Sequence, residues 1–165
     1  MMGITLLLGC AARHVPVESA PPGEAVLQLA LTFGDNTIAG LAAMDLQPES
    51  LDLQALTPAG VALFTVHSQD FETQVSAPDP DWAKVLEMLP FERDMRLILE
   101  WSCPTGSCDA DPGRVRERSV DGGVERRWRG PGGPATVFVE PGRAELSDPR
   151  RRYTLVLVGD SIVVP

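Results

Sequence analysis

Between residues 25 and 77 apolar and polar positions alternate with a period of two. Ala25, Leu27, Leu29, Leu31 and Phe33 fall on one side of the chain, and Val26, Gln28, Ala30 and Thr32 on the other. That is the pattern of a half-buried strand. After a turn at Gly34-Asp35-Asn36, further strands are predicted over Ile38–Leu46, Ser50–Leu56, Val61–His67 and Phe71–Ser76, with Pro48-Glu49, Thr57-Pro58-Ala59-Gly60 and Ser68-Gln69-Asp70 between them. Connections this short imply antiparallel neighbours, a meander. The period then lengthens. Asp79 is a good N-cap with Pro80 at the first helical position, and Trp82, Val85, Leu86 and Leu89 share one helical face. Pro90 interrupts, and Phe91, Met95, Ile98 and Leu99 continue an apolar helical stripe that ends before Pro104.

Strands resume at Arg114–Val120 and Val124–Arg129, which flank Asp121-Gly122-Gly123, a hairpin signal because glycine tolerates the positive φ of such turns. Thr136–Glu140, Arg143–Leu146, Tyr153–Val158 and Ser161–Val164 complete the pattern. The expectation is a mainly β chain of about ten strands with a helical pair inserted after the fifth. No repeat or linker divides residues 24–165, so they are read as one domain.

Charge narrows the partners. The chain of 165 residues carries a formal charge of −9, which argues against nucleic acid, since phosphate binding needs a concentrated basic surface. The charge is uneven: residues 114–152 sum to +4 and residues 1–113 to −12. Arg114, Arg116 and Arg118 repeat at spacing two on one strand face, with Arg127 and Arg129 on the expected partner strand. Guanidinium forks suit phosphate or carboxylate, so these arginines are candidates for contact with a lipid headgroup or a protein partner. The alternative is an outward face paired with Glu117 and Glu125.

Met1 to Cys10 reads Met-Met-Gly-Ile-Thr-Leu-Leu-Leu-Gly-Cys, with Ala11 and Ala12 following. The apolar run is too short for a transmembrane helix, which needs ~20 residues. No Lys or Arg precedes it, and Ile4–Leu8 is short for the apolar part of a secretory signal. Either the start codon is set too far downstream or the apolar terminus is fortuitous. Leu-Leu-Gly-Cys10 resembles the lipobox of bacterial lipoproteins. The resemblance implies a signal peptide over residues 1–9, a lipid attached at Cys10 and a tether over residues 10–23. The absence of Asp after the cysteine implies the outer membrane, facing the periplasm. In such an oxidising compartment Cys103 and Cys108, separated by a turn at Pro104 and Gly106, read as a small disulfide loop. His14 and His67 lack ligand-spaced partners, so neither a metal nor another cofactor is expected.

The element order, and the stretch Leu51-Asp52-Leu53-Gln54-Ala55-Leu56-Thr57-Pro58-Ala59-Gly60-Val61-Ala62-Leu63-Phe64, are similar to the LolA/LolB superfamily of lipoprotein carriers, and within it to LolB-like lipoproteins. That likeness implies a curved antiparallel sheet forming an incomplete barrel around helices, with an apolar cavity for acyl chains. Phe64, Trp82, Leu86, Phe91, Met95, Trp101 and Phe138 are the candidate cavity residues. The same residues would serve equally as a packed core. Two functions therefore stand side by side: a monomeric, lipid-anchored protein that binds lipid or a lipidated client, and a lipid-anchored interaction module with a packed barrel and an Arg-rich face. Catalysis is not expected, because His67, Ser68 and Asp70 have triad letters but neighbours on a strand point in different directions.

Overall fold

Alternation becomes strand pairing on both sides of the helical insertion. The computed structural model describes residues 18–19 and 23–164. Its elements in chain order are β1 (Glu18–Ser19), β2 (Gly23–Phe33), β3 (Asn36–Gln47), β4 (Ser50–Leu56), β5 (Ala62–Gln69) and β6 (Glu72–Ser76). Two short helices follow, α1 (Pro80–Glu87) and α2 (Phe91–Met95), and α2 runs into a π-helical turn (Arg96–Glu100). The rest is β7 (Trp101–Ser102), β8 (Ser107–Ala110), β9 (Gly113–Val120), β10 (Gly123–Arg129), β11 (Ala135–Glu140), β12 (Arg143–Asp148) and β13 (Tyr153–Val158).

Eleven strands make one antiparallel sheet in the order β6-β5-β4-β3-β2-β13-β12-β11-β10-β9-β8. Each wing is a meander, and the two join where β13 pairs with β2, Leu155 opposite Leu31 and Leu157 opposite Leu29. The sheet does not close, so β6 and β8 are its edges. One core cluster takes inward residues from both wings, among them Leu29, Leu53, Val66, Val115, Val137 and Leu155, together with Leu86, Phe91, Met95 and Ile98 of the helical insertion. A sheet whose two ends pack on the same helices must wrap around them, and the strong twist of antiparallel ribbons permits it.

Several expectations are corrected. Ser161–Val164 is not a strand: β13 already has β12 on one side and β2 on the other, so no ladder is left beside it. Phe71 belongs to the β5–β6 turn and not to the strand. The stretch 10–23, read as a free tether, contains Glu18–Ser19 paired with Trp101–Ser102. Short β8 escaped notice because four residues leave no period to detect. The signal-peptide segment, Cys10 and most of the tether lie outside the described residues. No helix among the described residues is long and apolar enough to cross a membrane.

Candidate functional site

The sheet encloses a helix that is charged as well as buried. All five residues of α2, Phe91-Glu92-Arg93-Asp94-Met95, are buried, as is Arg96 after it. Pro90 lets α2 leave the line of α1, since it cannot continue a hydrogen-bonded helix. Two ion networks then leave opposite sides of α2. Glu92 Oε1 accepts from Arg96 Nε and Nη2 at 3.0 and 2.7 Å, and its Oε2 accepts from Ser68 Oγ at 2.7 Å and the Phe71 N–H at 2.9 Å. Arg96 also donates to Glu100 at 2.5 Å and to the Gln47 carbonyl at 2.8 Å. On the other side Arg93 donates to Asp94 at 2.7 and 2.5 Å, to Asp148 at 3.3 Å and to the Tyr153 hydroxyl at 3.2 Å. Its Nη1 reaches the Gly132 and Gly133 carbonyls, each at 3.0 Å. The Tyr153 hydroxyl donates in turn to Asp94.

A third buried arginine closes the insertion. Arg126 on β10 donates to the Leu97 and Ile98 carbonyls at 3.0 Å each, capping the π-helical turn, and to Glu117 at 2.7 Å. Burial and pairing set the protonation. Burial raises the Asp94 pKa from 3.8 to about 6, against the pull of Arg93 and Tyr153. Burial also pushes the Tyr153 hydroxyl up, with the Asp94 charge adding to it. For Arg93 burial pulls down, yet Asp94, Tyr153 and Asp148 outweigh it and hold the guanidinium above its ordinary value. Arg96 follows the same balance, with Glu92 and Glu100 opposing burial.

Most predicted cavity residues are therefore packing, not lining. Phe64, Leu86, Phe91, Met95 and Trp101 are buried in the core, with the Phe64 and Phe91 rings 5.8 Å apart. Phe138 corrects the reading outright. It is half-buried on the β11 face opposite Val137 and Val139, which are the core positions. Trp82 is half-buried at the rim of a crevice of about 220 Å³ under α1, shared with Ile38, Leu63 and Leu86. An open groove of about 740 Å³ lies on the N-terminal wing, where Glu24, Asp45 and Asp52 stand side by side on successive strands.

The arginine reading fares differently. Arg114, Arg116 and Arg118 stand opposite Arg129, Arg127 and Glu125. Arg114 pairs with Asp109 at 2.8 Å; Arg118 and Arg127 share Glu125 at 3.0 and 2.7 Å. Those hydrogen bonds, Arg118 first, hold the Glu125 carboxyl below its ordinary pKa. Arg116 faces Arg127 across the ladder, a like-charge contact that does not favour folding. Glu117, expected to neutralise this face, turns inward to Arg126. Arg116, Arg118 and Arg127 border a pocket of about 260 Å³.

Cys103 and Cys108 are bonded to each other, as the turn between them predicts. His67 and Ser68 diverge: the His67 ring is exposed and bonded to Asp52 at 2.7 Å, whereas Ser68 is buried against Glu92. Residues the sequence reading passed over are Glu92, Arg93, Asp94, Arg96, Arg126, Asp148 and Tyr153. The available signal was the spacing Glu92, Arg96, Glu100, which places opposite charges four residues apart on a helix. No family model matches the chain, and no curated protein matches it.

Proposed function

We propose that this chain is a non-enzymatic binding module of the cell envelope, held at a membrane through Cys10, that meets an acidic partner surface with the basic outer face of β9 and β10. The observation that carries this reading is the filled interior. An acyl chain entering the barrel would have to displace α2, and breaking a buried ion pair without replacing both partners costs about 3–5 kcal/mol. Binding is thus assigned to the outside, where Arg116 and Arg127 oppose each other and gain by sharing an anion. The likeness to LolB-like lipoproteins belongs to this proposal. An open antiparallel sheet wrapped on a helical insertion supports it, and an outer-membrane, periplasm-facing location for a lipid on Cys10 is part of the same proposal.

A second reading keeps the carrier function but moves its site. The crevice of about 220 Å³ beneath α1 has Ile38, Leu63, Trp82 and Leu86 around it and would take the end of an acyl chain if α1 swung away about Pro78 and Pro90. One experiment separates the two. The Cys10→Ser full-length protein is purified and its native mass spectrum recorded, and its binding to vesicles with and without an anionic phospholipid is measured. The basic-face reading expects no copurified lipid and anion-dependent binding that Arg116→Glu with Arg127→Glu abolishes. Copurified lipid released by Trp82→Asp, with vesicle binding unchanged by the arginine variant, selects the carrier.

A further inference from the structure

Where the β5–β6 turn meets the β8–β9 and β10–β11 turns, the structure leaves a recess of about 130 Å³. Its walls are Phe71, Pro90, Pro112, Trp128 and Pro131, and its floor is formed by Glu92 and Arg93. The polar groups around it already have partners. Glu92 is taken by Arg96, Ser68 and the Phe71 N–H, and Arg93 by Asp94, Asp148, Tyr153 and two carbonyls. The Trp128 Nε1 donates to the Pro131 carbonyl at 3.1 Å. Thr73, at the edge of the recess, donates its hydroxyl to Ser68 Oγ at 3.4 Å. With the charged groups engaged and most of the wall carbon, the recess favours an apolar guest.

The walls are rigid. Three are proline rings. Trp128 stacks on Trp101 with ring centroids 4.9 Å apart and planes at 20°. Its indole lies against Gly113 and Gly130, where an added Cβ would come within 2.4 and 2.5 Å of ring carbons. A recess held open this way is paid for in advance, which is the condition for binding small apolar guests.

The last wall carries strain. Phe71 has φ +66°, directly after Asp70 at +51°. A two-residue hairpin turn of this kind favours Asn-Gly, and a bulky side chain at positive φ is a backbone outlier. Such outliers persist where function holds them. Glycine at this position would serve the turn better, yet it would remove the ring that walls the recess and is still 41% exposed.

We infer that this recess is a socket for one uncharged aromatic ring. Size and chemistry agree: engineered apolar cavities of about 150 Å³ take benzene, and the surrounding indole, phenyl, prolyl and guanidinium groups favour a flat ring over a flexible chain. A carboxylated ring would bring its charge beside the Glu92 carboxylate, while the N–H groups of Arg93 are already engaged with Asp94, Asp148, Tyr153 and two carbonyls.

Toluene is the probe. Titrated into the full-length chain, it should shift the indole N–H resonance of Trp128 saturably and leave Trp82, at the α1 crevice, unmoved. Benzoate and n-pentane should each bind about tenfold more weakly. Phe71→Gly should keep the fold and raise the unfolding midpoint, while toluene affinity falls about two- to tenfold. The proposal is overturned by the absence of a saturable Trp128 shift, by benzoate or pentane binding as tightly as toluene, or by unchanged toluene affinity in Phe71→Gly.

Discussion

The two short helices of the insertion lie one turn of chain apart and carry three charged residues each, yet they meet opposite environments. In α1 the charges Asp81, Lys84 and Glu87 are exposed, and only Leu86 is fully buried. In α2 every residue is buried, Glu92, Arg93 and Asp94 included. Composition alone would put the more densely charged α2 in water. Position decides otherwise: α1 lies along the edge strand β6 with water on its far side, whereas α2 is bonded to β5, β12, β13 and the β10–β11 loop. A helix encircled by a sheet has no solvent face, so each charge must find a protein partner. Arg93 shows what that requires, for its five N–H groups reach a carboxylate pair, a phenol and two carbonyls.

The largest expected effect tests the buried side of this contrast. Arg93→Ala leaves Asp94 and Asp148 without their shared cation and should cost about 3–5 kcal/mol, read as a lower urea midpoint at unchanged slope. Arg93→Lys keeps the charge but loses the fork, and should fall between the variant and the parent. A cost below about 1 kcal/mol for Arg93→Ala would mean that water reaches α2 and that the two helices do not differ in kind.

Asp94 gives the same contrast a pH signature. Its native pKa is about 6 against an ordinary 3.8, because burial outweighs Arg93 and Tyr153. The native state then holds this proton more tightly than the unfolded chain does. The stability Asp94 contributes is full below its unfolded pKa and is lost as pH rises through about 6. The loss is about 3 kcal/mol on that shift. Asp94→Asn removes this ionisation, so the difference between parent and variant stability, from urea titrations at successive pH values, should fall between about pH 4 and 6 and be flat above about pH 7. A difference that is flat throughout would place Asp94 in a wet site.

Alternation made most of the sheet legible. Leu27, Leu29 and Leu31 lie in the core while Val26 and Gln28 face out, because one face of a strand is buried whatever lies beyond it. The helix cap at Asp79 was legible for the same local reason: its carboxylate accepts from the Asp81 and Trp82 N–H groups at 2.9 and 3.3 Å. The pairing of β13 with β2 was not, since register between distant strands leaves no local trace. Nor was the fate of α2. The i,i+4 spacing of Glu92, Arg96 and Glu100 suits a solvated helix stripe and serves equally well inside a ring of strands, so it does not tell the two apart. Phe71 was misplaced because its side chain favours a strand and its backbone does not adopt one.

The smallest effects belong to α1. Asp79→Ala removes the cap and should cost about 1 kcal/mol, seen as a modest loss of urea midpoint. Lys84 reaches Asp81 at 3.5 Å with both side chains largely in water. An exposed pair of this kind contributes about 0–1 kcal/mol, and its geometry is near the outer limit of a hydrogen bond. Lys84→Ala should therefore leave the midpoint within experimental error, also at low salt, where surface pairs are strongest. The pairing of Lys84→Ala with Arg93→Ala is the sharp form of the comparison, since both remove one cation from a carboxylate partner in the same insertion. If Lys84→Ala costs as much as Arg93→Ala, charge at the insertion acts through the helices themselves and not through their enclosure by the sheet.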